Sequence, residues 1–420
     1  MKKSGKILLS SLLCALMPLS LLSCGVTPAE TTAAETTAAE TTEAETETEP
    51  VTEAETETDT ETETEAEPQE PAGKVEVYQF APENSSLMMS YVIITPNKKV
   101  VVIDGGIDGT GVEAKPYIHN AIRAALGIGE NDYFEVEAWF LSHEHRDHYY
   151  ELAKLLNAYT AESNYKINNF YFDFPNIGVE WKSAAGAGDH DVERFNKLRK
   201  GFDNYYSING FTGIKGADIP EDKFKAPEGA EYYYYDLINR AVISEAAIEK
   251  GLTISVDGVD FEVLMTWWKE AKYVNSTSVI LRMTYKEHSI LFLGDAAADS
   301  GKRLLTMYPA ERIKSEYVQM GHHGQGGPDK AFYDAIDAKN SKRLWPTPQW
   351  VWNNHTTYAI GDTRSWLDLP VDATEFKKQR LHDTGMDFVA GCYKRYASKG
   401  ESFSKWTEKV LAAQRVAVFE

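Results

Sequence analysis

The sequence has few cysteines, no cationic excess, and no long apolar run beyond its first 22 residues. Its three cysteines, Cys14, Cys24 and Cys392, are too few for a disulfide framework in 420 residues. Lys and Arg number 43 against 64 Asp and Glu, so the net charge is −21. Such a chain has no cationic surplus to neutralise phosphates, which argues against a simple nucleic-acid binder. Past residue 22, no stretch approaches the roughly 18 apolar residues of a membrane-spanning helix.

The N-terminus has the pattern of an export signal. Three Lys precede an almost wholly apolar stretch over residues 7–22, as in secretory signals. The stretch ends in Leu-Leu-Ser-Cys-Gly at residues 21–25, which resembles a bacterial lipobox. This resemblance implies a signal peptide over residues 1–23 and a lipidated Cys24 that anchors the exported protein to the outer face of the cell membrane. The alternative is an uncleaved anchor helix. Cleavage would leave Cys392 without a partner, so we expect no structural disulfide.

The acidic charge is concentrated in one segment. Residues 27–72 contain sixteen acidic side chains and no Lys or Arg, whereas residues 1–26 contain three Lys and no acid. Residues 73–420 therefore carry only −8. Because residues 27–72 consist mainly of Thr, Glu and Ala without apolar periodicity, we expect residues 24–72 to be a disordered, self-repelling tether. An acidic tail that binds a partner is the alternative.

The folded body is expected to begin near Gly73. Strands are predicted from short β-branched or aromatic runs at 74–80, 87–95, 100–103, 134–141, 278–284, 289–293 and 317–320. Residues 252–266 are predicted to form two strands joined by a turn at Asp257-Gly258. Helices are predicted at 115–126, 149–159, 190–206 and 235–250. Because strand pairs precede helices in both halves, we predict an α/β domain over residues 73–420, with two sheets packed face to face and helices outside. A helical segment over roughly 176–251 is predicted to be an insert.

Residues 143–148 concentrate groups that bind metals or protons. They include His143, Glu144, His145, Asp147 and His148. On the extended end of a strand, His143 and His145 point the same way and Glu144 points away. Imidazole and carboxylate suit zinc and similar ions, and Asp147 and His148 on the next helix can face a second ion. Packing explains this cluster poorly, because burying so many polar groups without partners is costly.

The spacing His-x-His-x-Asp-His after an apolar strand resembles the signature of the metallo-β-lactamase fold superfamily. Three further motifs occur in the superfamily's order, at Asp104-Gly105-Gly106, Gly294-Asp295 and Gly321-His322-His323-Gly324. The resemblance implies a four-layer αββα sandwich and a hydrolase that uses two divalent metal ions, zinc first and manganese second. The His-His-Gly form is similar to the branch that includes the DNA-internalisation competence protein and a pneumococcal phosphorylcholine esterase.

The resemblance also implies roles for individual residues. The expected metal ligands are His143, His145, Asp147, His148, Asp295 and His322. Asp295 would bridge the two ions, and His322 is chosen over His323 because it directly follows the last strand. Asp104 would orient the ligands and handle a proton, and His323 would contact substrate. The expected catalytic residues are therefore Asp104, Asp147 and His323.

One position departs from the superfamily pattern. Many members place a metal-binding His just before the strand that leads to Gly294-Asp295, and this chain has Asn275 there. Because Asn is a poor zinc ligand, one ion would have three protein ligands and open positions for water or a phosphate oxygen. An Asn in this place is also found in the competence-type branch.

These features together predict an extracellular, lipid-anchored hydrolase. Two ions would lower the pKa of a bridging water toward ~7 and so provide hydroxide for attack on a small-molecule or cell-surface phosphodiester. A DNA-processing nuclease of the competence type is the first alternative, and the −8 of the body disfavours it. A non-catalytic surface binding protein that contains metal is the second alternative, disfavoured because all the site motifs are present.

Overall fold

The computed structural model describes a set of ranges within the predicted folded body. They are residues 73–80, 87–107, 117–175, 192–209, 243–354, 356–369, 386–389 and 415–420. The predicted signal peptide, Cys24, the tether, Cys392 and most of the predicted insert lie outside the described residues. Among the described residues, no helix has the length and apolar character needed to cross a membrane.

The first sheet is built around the N-terminal strands of the body. It contains β1 (Val75–Gln79), β2 (Tyr91–Ile94), β3 (Val100–Ile103), β4 (Phe134–Phe140), β5 (Tyr165–Ile167), β6 (Phe170–Tyr171) and β14 (Arg415–Phe419). The order is β14-β1-β2-β3-β4-β5, and β6 also pairs with β4. Strands β14 to β3 pair antiparallel, whereas β4 is parallel to β3, β5 and β6. Every residue of β2 and β3 is buried, which explains their continuous apolar runs.

The second sheet also has seven strands, an antiparallel part followed by a parallel part. It contains β7 (Thr253–Val256), β8 (Val259–Met265), β9 (Ile280–Tyr285), β10 (His288–Phe292), β11 (Tyr317–Gln319), β12 (Lys342–Trp345) and β13 (Asp387–Val389). The strands lie in sequence order, antiparallel from β7 to β10 and parallel from β10 to β13. Asp257 and Gly258 join β7 to β8 with φ of 53° and 78°, the left-handed backbone that a two-residue hairpin turn needs.

Helices lie beside both sheets, most of them on the outer faces. They are α1 (Tyr117–Leu126), α2 (Arg146–Asn157), α3 (Val192–Ile208), α4 (Glu245–Glu249), α5 (Ala298–Met307), α6 (Ala310–Ile313), α7 (Lys330–Ala335), α8 (Gln349–Asn353) and α9 (Ile360–Trp366). Helix α3 belongs to the predicted insert, and it packs on α2. The Tyr149 and Phe195 rings lie 6.1 Å apart, and Asn204 Nδ2 donates to Leu156 O over 2.8 Å.

Three hydrophobic cores separate these layers. Between the sheets, Tyr91 meets Phe292 with ring centroids 5.0 Å apart, and Phe140 meets Phe261 at 5.4 Å. On the outer face of the first sheet, apolar side chains of β2 to β4 pack against α1, α2 and α3. On the outer face of the second sheet, strands β10 to β12 pack against α5, α7, α8 and α9. The predicted four-layer αββα sandwich is therefore confirmed.

The two sheets approach each other closely where β4 and β10 end. Val279 N–H donates to Ser142 O over 2.8 Å, which links the segment after β4 to the segment before β9. Gly294 has φ +54°, and a Cβ added there would lie 2.9 Å from Ser142 Cβ. Only glycine fits this backbone and this approach without strain. The ends of β4 and β10 are thereby held side by side.

Candidate metal centre

Each histidine motif lies where an apolar strand gives way to a turn or helix. His143 and His145 come after β4, and His145 is the N-cap of α2, with extended φ of −83° and ψ of 142°. Helix α2 begins at Arg146 rather than at the predicted residue 149, so Asp147 and His148 lie in its first turn. The backbone therefore changes from extended to helical inside the motif, and successive side chains converge on one point.

The first candidate set of ligands, trio A, consists of His143, His145 and Asp295. Their ligand atoms lie within 4.8 Å of one another. His143 Nε2 is 3.1 Å from His145 Nδ1 and 3.9 Å from Asp295 Oδ2. His143 is fully buried and Asp295 is only 2% exposed, so both groups need a partner that offsets their desolvation.

The second candidate set, trio B, consists of Asp147, His148 and His323, whose ligand atoms also lie within 4.8 Å of one another. His323 Nε2 is 3.1 Å from Asp147 Oδ2 and 3.6 Å from Asp295 Oδ2. His148 Nε2 is 3.3 Å from the same Asp295 oxygen. Asp295 Oδ2 therefore lies within 3.9 Å of imidazoles from both trios, where a bridging carboxylate would lie.

The structure places His323, and not the predicted His322, in trio B. Strand β11 ends at Gln319, and His322 and His323 both have φ of 53°, so strand alternation does not extend to them. His322 turns Nδ1 toward Gln325 O at 3.0 Å, whereas His323 is fully buried against Asp147. The structure therefore groups His323, rather than the predicted ligand His322, with Asp147 and His148.

Contacts at the Nδ1 atoms of His148 and His323 fix the orientation of their rings. His148 Nδ1 is 2.7 Å from Asp104 Oδ2, and His323 Nδ1 is 2.9 Å from Pro346 O. These contacts fit Nδ1–H donors, which leave the Nε2 lone pairs free for a metal. Asp104 also accepts the Ser142 backbone N–H at 2.7 Å and the Ser142 hydroxyl at 2.8 Å. The predicted orienting role of Asp104 matches this geometry.

The buried charges shift the pKa values in opposite directions. Burial lowers the pKa of His143 well below its usual value, and His148 and His145 lower it further. Burial also opposes the charged form of His148, but the carboxylates of Asp295 and Asp104 raise its pKa well above the usual value. Burial would raise the pKa of Asp295, yet His148 and His323 hold it well below its usual range. The site therefore favours an anionic Asp295 beside a cationic His148, whereas His143 stays neutral.

The donor set fits two divalent ions. Asp295 Oδ1 is buried and has no hydrogen-bond partner among the described residues, and His148 Nε2 is buried with Asp295 Oδ2 3.3 Å away. Buried polar atoms rarely lack partners, so the unpaired carboxylate oxygen indicates a missing ligand. Imidazole nitrogens and carboxylate oxygens are the donors of catalytic zinc and related sites, and each trio supplies three of them.

Two serines at the site are not predicted from the sequence. Ser142 Oγ lies 3.0 Å from His143 Nδ1 and 3.2 Å from His148 Nδ1, so one hydroxyl contacts both trios. Ser278 Oγ lies 3.4 Å from His143 Nδ1 and accepts the Asp295 N–H at 3.1 Å. The adjacency of Ser142 to His143 was a usable signal, whereas the contact of Ser278 depends on the approach of the two sheets.

Comparisons with known proteins identify the family. A family model described as "Metallo-beta-lactamase superfamily" matches residues 88–312, more than half of the chain. A search of curated proteins gave no match. The chain is similar to the metallo-β-lactamase fold protein YhfI of Bacillus subtilis, with 12% identity over 65% of this chain and 85% of that chain, and a TM-score of 0.31.

Two other solved structures show comparable likeness. The short form of human tRNase Z is 12% identical over 64% of this chain and 91% of that chain, with a TM-score of 0.32. The diiron β-hydroxylase CmlA of Streptomyces venezuelae is 12% identical over 63% of this chain and 38% of that chain, with a TM-score of 0.28. These likenesses are too distant to bear on activity. From the family match and its two-sheet fold, the chain belongs to the metallo-β-lactamase superfamily.

Proposed function

We propose that this protein is an exported, lipid-anchored hydrolase of phosphodiesters that works with two divalent metal ions. Members of its superfamily are mostly metal-dependent hydrolases, and the chain has two groups of three His and Asp donors. The observation that carries the proposal is the position of Asp295 Oδ2, which lies within 3.9 Å of imidazoles from both trios. A carboxylate in that position can neutralise and space two ions.

Each residue of the centre has a distinct part in the proposal. One ion would be held by His143, His145 and Asp295, and the other by Asp147, His148, His323 and Asp295. Two such ions, when bound, supply Lewis acidity and a water of lowered pKa. Zinc is the expected metal because imidazole and carboxylate suit it, and manganese is the second choice.

The protein's own contribution is orientation of the imidazoles by buried partners. Asp104 fixes the ring of His148 through the 2.7 Å contact with Nδ1, and it is fully buried. Ser142 contacts both His143 and His148, so the positions of the two trios are coupled through its hydroxyl. Hydrogen bonds and charges are stronger in a buried site than in water. Asp104 is therefore proposed to set ligand geometry before substrate arrives.

The choice of a phosphodiester rests on charge and location. Trio A brings three protein donors, which leaves positions where an anionic phosphoryl oxygen can bind. The body's net −8 disfavours long polyanions, so a small or cell-surface diester is preferred to DNA. Export and attachment through Cys24 would place the enzyme among cell-surface phosphodiesters.

A substrate panel tests the activity. The purified chain, with zinc or manganese added, is assayed on bis-p-nitrophenyl phosphate, p-nitrophenyl phosphorylcholine, DNA and nitrocefin. Turnover of the small diesters, with little on nitrocefin, is expected. Preference for DNA would favour the nuclease alternative, and two bound metals with no turnover of any substrate would favour a binding protein.

Labelling tests the anchor independently of the chemistry. Bacterial cells that express the full chain or its Cys24→Ala variant are grown with radiolabelled palmitate. We expect label in the membrane-bound wild type and none in the variant. Equal labelling of both chains, or no label in either, would contradict the lipid anchor and leave the proposed hydrolysis unaffected.

A further inference from the structure

Strands β10 and β11 carry candidate ligands in the segments that follow them, beyond their parallel ladder. The ladder extends as far as Leu291 in β10, and Asp295 and His323 both lie further along the chain. A backbone hydrogen bond joins the two following segments, from His322 N–H to Gly294 O. Its length of 3.2 Å is at the long end of the usual range, so this bond alone fixes the segments weakly.

The side chain of Gln319, the last residue of β11, joins the same two segments. Its Oε1 accepts the Leu293 N–H over 2.7 Å, and its Nε2 donates to Gly294 O over 3.0 Å. Nε2 also donates to Met320 O over 2.7 Å, within its own segment. The amide thus offers the end of β10 both a donor and an acceptor, as a backbone peptide group does.

Only an amide meets these demands in full. Gln319 is fully buried, and both of its polar atoms are hydrogen-bonded. An ionised carboxylate would accept but not donate, and an apolar side chain would do neither. Without the amide, the Leu293 N–H would lose this partner in a fully buried place, so we expect the segment to shift toward another one.

The segment that Gln319 holds leads directly into Asp295, whose two groups of contacts have different supports. The Asp295 N–H donates to Ser278 Oγ over 3.1 Å, and that oxygen lies 3.4 Å from His143 Nδ1 in trio A. The contact between Asp295 Oδ2 and His323 Nε2, at 3.6 Å, instead spans the ends of β10 and β11. Its length therefore depends on the link between these two strand ends.

We propose that Gln319 is a positioning residue of the centre, which sets the distance between the Asp295 carboxylate and the His323 imidazole. It acts through the backbone of Leu293 and Gly294 rather than as a ligand. Because His323 belongs to trio B, loss of the Gln319 amide should weaken metal binding at trio B and affect trio A little. The inference rests on the proposed two-metal centre but concerns metal binding alone.

Chains with one intact trio test this role without any assay of turnover. His145→Ala leaves trio B intact, and Asp147→Ala leaves trio A intact. Gln319→Met, an apolar side chain of similar length, is added to each, and zinc affinity is measured by competition with a chromogenic chelator. We expect affinity to fall about 10-fold or more in the His145→Ala chain, as for other groups that orient metal ligands, and to change little in the Asp147→Ala chain.

Gln319→Glu provides a conservative second variant. Burial raises the pKa of a carboxyl group and so favours its protonated form, which can both accept the Leu293 N–H and donate to Gly294 O. Zinc affinity at trio B should therefore fall less in Gln319→Glu than in Gln319→Met. A loss in Gln319→Glu as large as that in Gln319→Met would contradict the role of the hydrogen bonds.

Gln79→Met is the matched control. Gln79 is also fully buried, its Nε2 donates to Trp345 O over 3.2 Å, and its Oε1 accepts from the Tyr91 hydroxyl over 2.9 Å. Loss of a buried, hydrogen-bonded amide is therefore common to both variants. We expect unchanged zinc affinity in this control at both trios, with native circular dichroism in all chains.

Three results would overturn the inference: unchanged affinity at trio B in Gln319→Met, equal weakening at both trios, or equal weakening in Gln319→Met and Gln79→Met. Weakening confined to trio B would support it. The same result in a chain whose wild type binds two metals and turns over no substrate would still support it, and would contradict only the proposed hydrolysis.

Discussion

Asp104 Oδ2 lies 2.7 Å from His148 Nδ1, and both side chains are fully buried. Asp104 has φ of 61°, a left-handed backbone that is uncommon for a residue other than glycine and that Asp and Asn tolerate best. The strand before it ends at Ile103, so this turn of the backbone aims the carboxylate at α2. The contact joins the end of the first sheet to the helix that carries two of the three members of trio B.

Asp104→Asn should weaken metal binding at trio B by about 10- to 100-fold, the range found for partners of metal-bound imidazoles. An amide fits the same backbone but cannot accept all the hydrogen bonds that Ser142 and His148 offer to the two carboxylate oxygens. Chelator competition measures the affinity. Asp368→Asn is the control, because Asp368 also has left-handed φ of 59° but is exposed. Equal affinities in both variants would contradict the role of Asp104.

The two adjacent histidines should behave differently. His323→Ala removes a buried Nε2 that lies 3.1 Å from Asp147, so we expect loss of one of the two bound metals. His322→Ala should retain both, because the His322 ring bonds Gln325 O and is no member of either trio. Metal content per chain after dialysis distinguishes them. Loss of a metal in His322→Ala alone would restore the assignment made from sequence.

Metal binding should release protons near neutral pH. The pKa values of His148 and His323 are raised, despite burial, by Asp295 together with Asp104 and Asp147. These imidazoles therefore carry protons below their raised pKa, and a ligand must lose its proton to bind metal. Apparent affinity should rise as pH increases toward those values. Calorimetry in two buffers of different ionisation enthalpy checks this, and identical heats would contradict it.

Glu151 should make the fold less stable as pH rises toward 7. Burial raises its pKa from 4.5 to about 7, although its Oε2 accepts the Ile118 N–H. Between these two values the unfolded chain loses its proton first, so the free energy of unfolding falls with rising pH, by about 3 kcal/mol in total. Above about 7 both states are ionised and the loss is complete.

Glu151→Gln removes this dependence. Relative to wild type, the variant should gain stability progressively from pH 5 to pH 8, as measured by urea unfolding at each pH. Glu249→Gln is the control, because Glu249 is exposed on α4 and its neutralisation should leave the pH profile of wild type unchanged. Parallel pH profiles for wild type and Glu151→Gln would contradict the effect.

The structure brings together those predicted ligands that come soon after an apolar strand. His143 after β4 and Asp295 after β10 are found this way, because the strand ends of a sheet meet along one edge and the residues beyond them are buried there. The hairpin of β7 and β8 is also predicted, since Asp257-Gly258 specifies its turn locally.

Features that depend on contacts between residues far apart in sequence cannot be predicted in this way. Strand β14 pairs Phe419 with Val75, and no local pattern encodes a pairing across the whole domain. The sequence does not show which of His322 and His323 faces the other candidate ligands, because both have a left-handed backbone and strand alternation does not apply to them. The contacts of Ser278 arise only when the second sheet closes on the first. Long-range packing, rather than residue propensity, decides each of these.

The most direct test of the two-metal hydrolase compares bound metal and hydrolysis of bis-p-nitrophenyl phosphate in three chains. The variant His145→Ala/Asp147→Ala removes one donor from each trio. The control His288→Ala/Asp337→Ala removes the same two residue types from positions outside both trios. We predict two metals and turnover for wild type and control, and loss of both properties in the first variant. Full metal content and wild-type turnover in His145→Ala/Asp147→Ala would contradict the account.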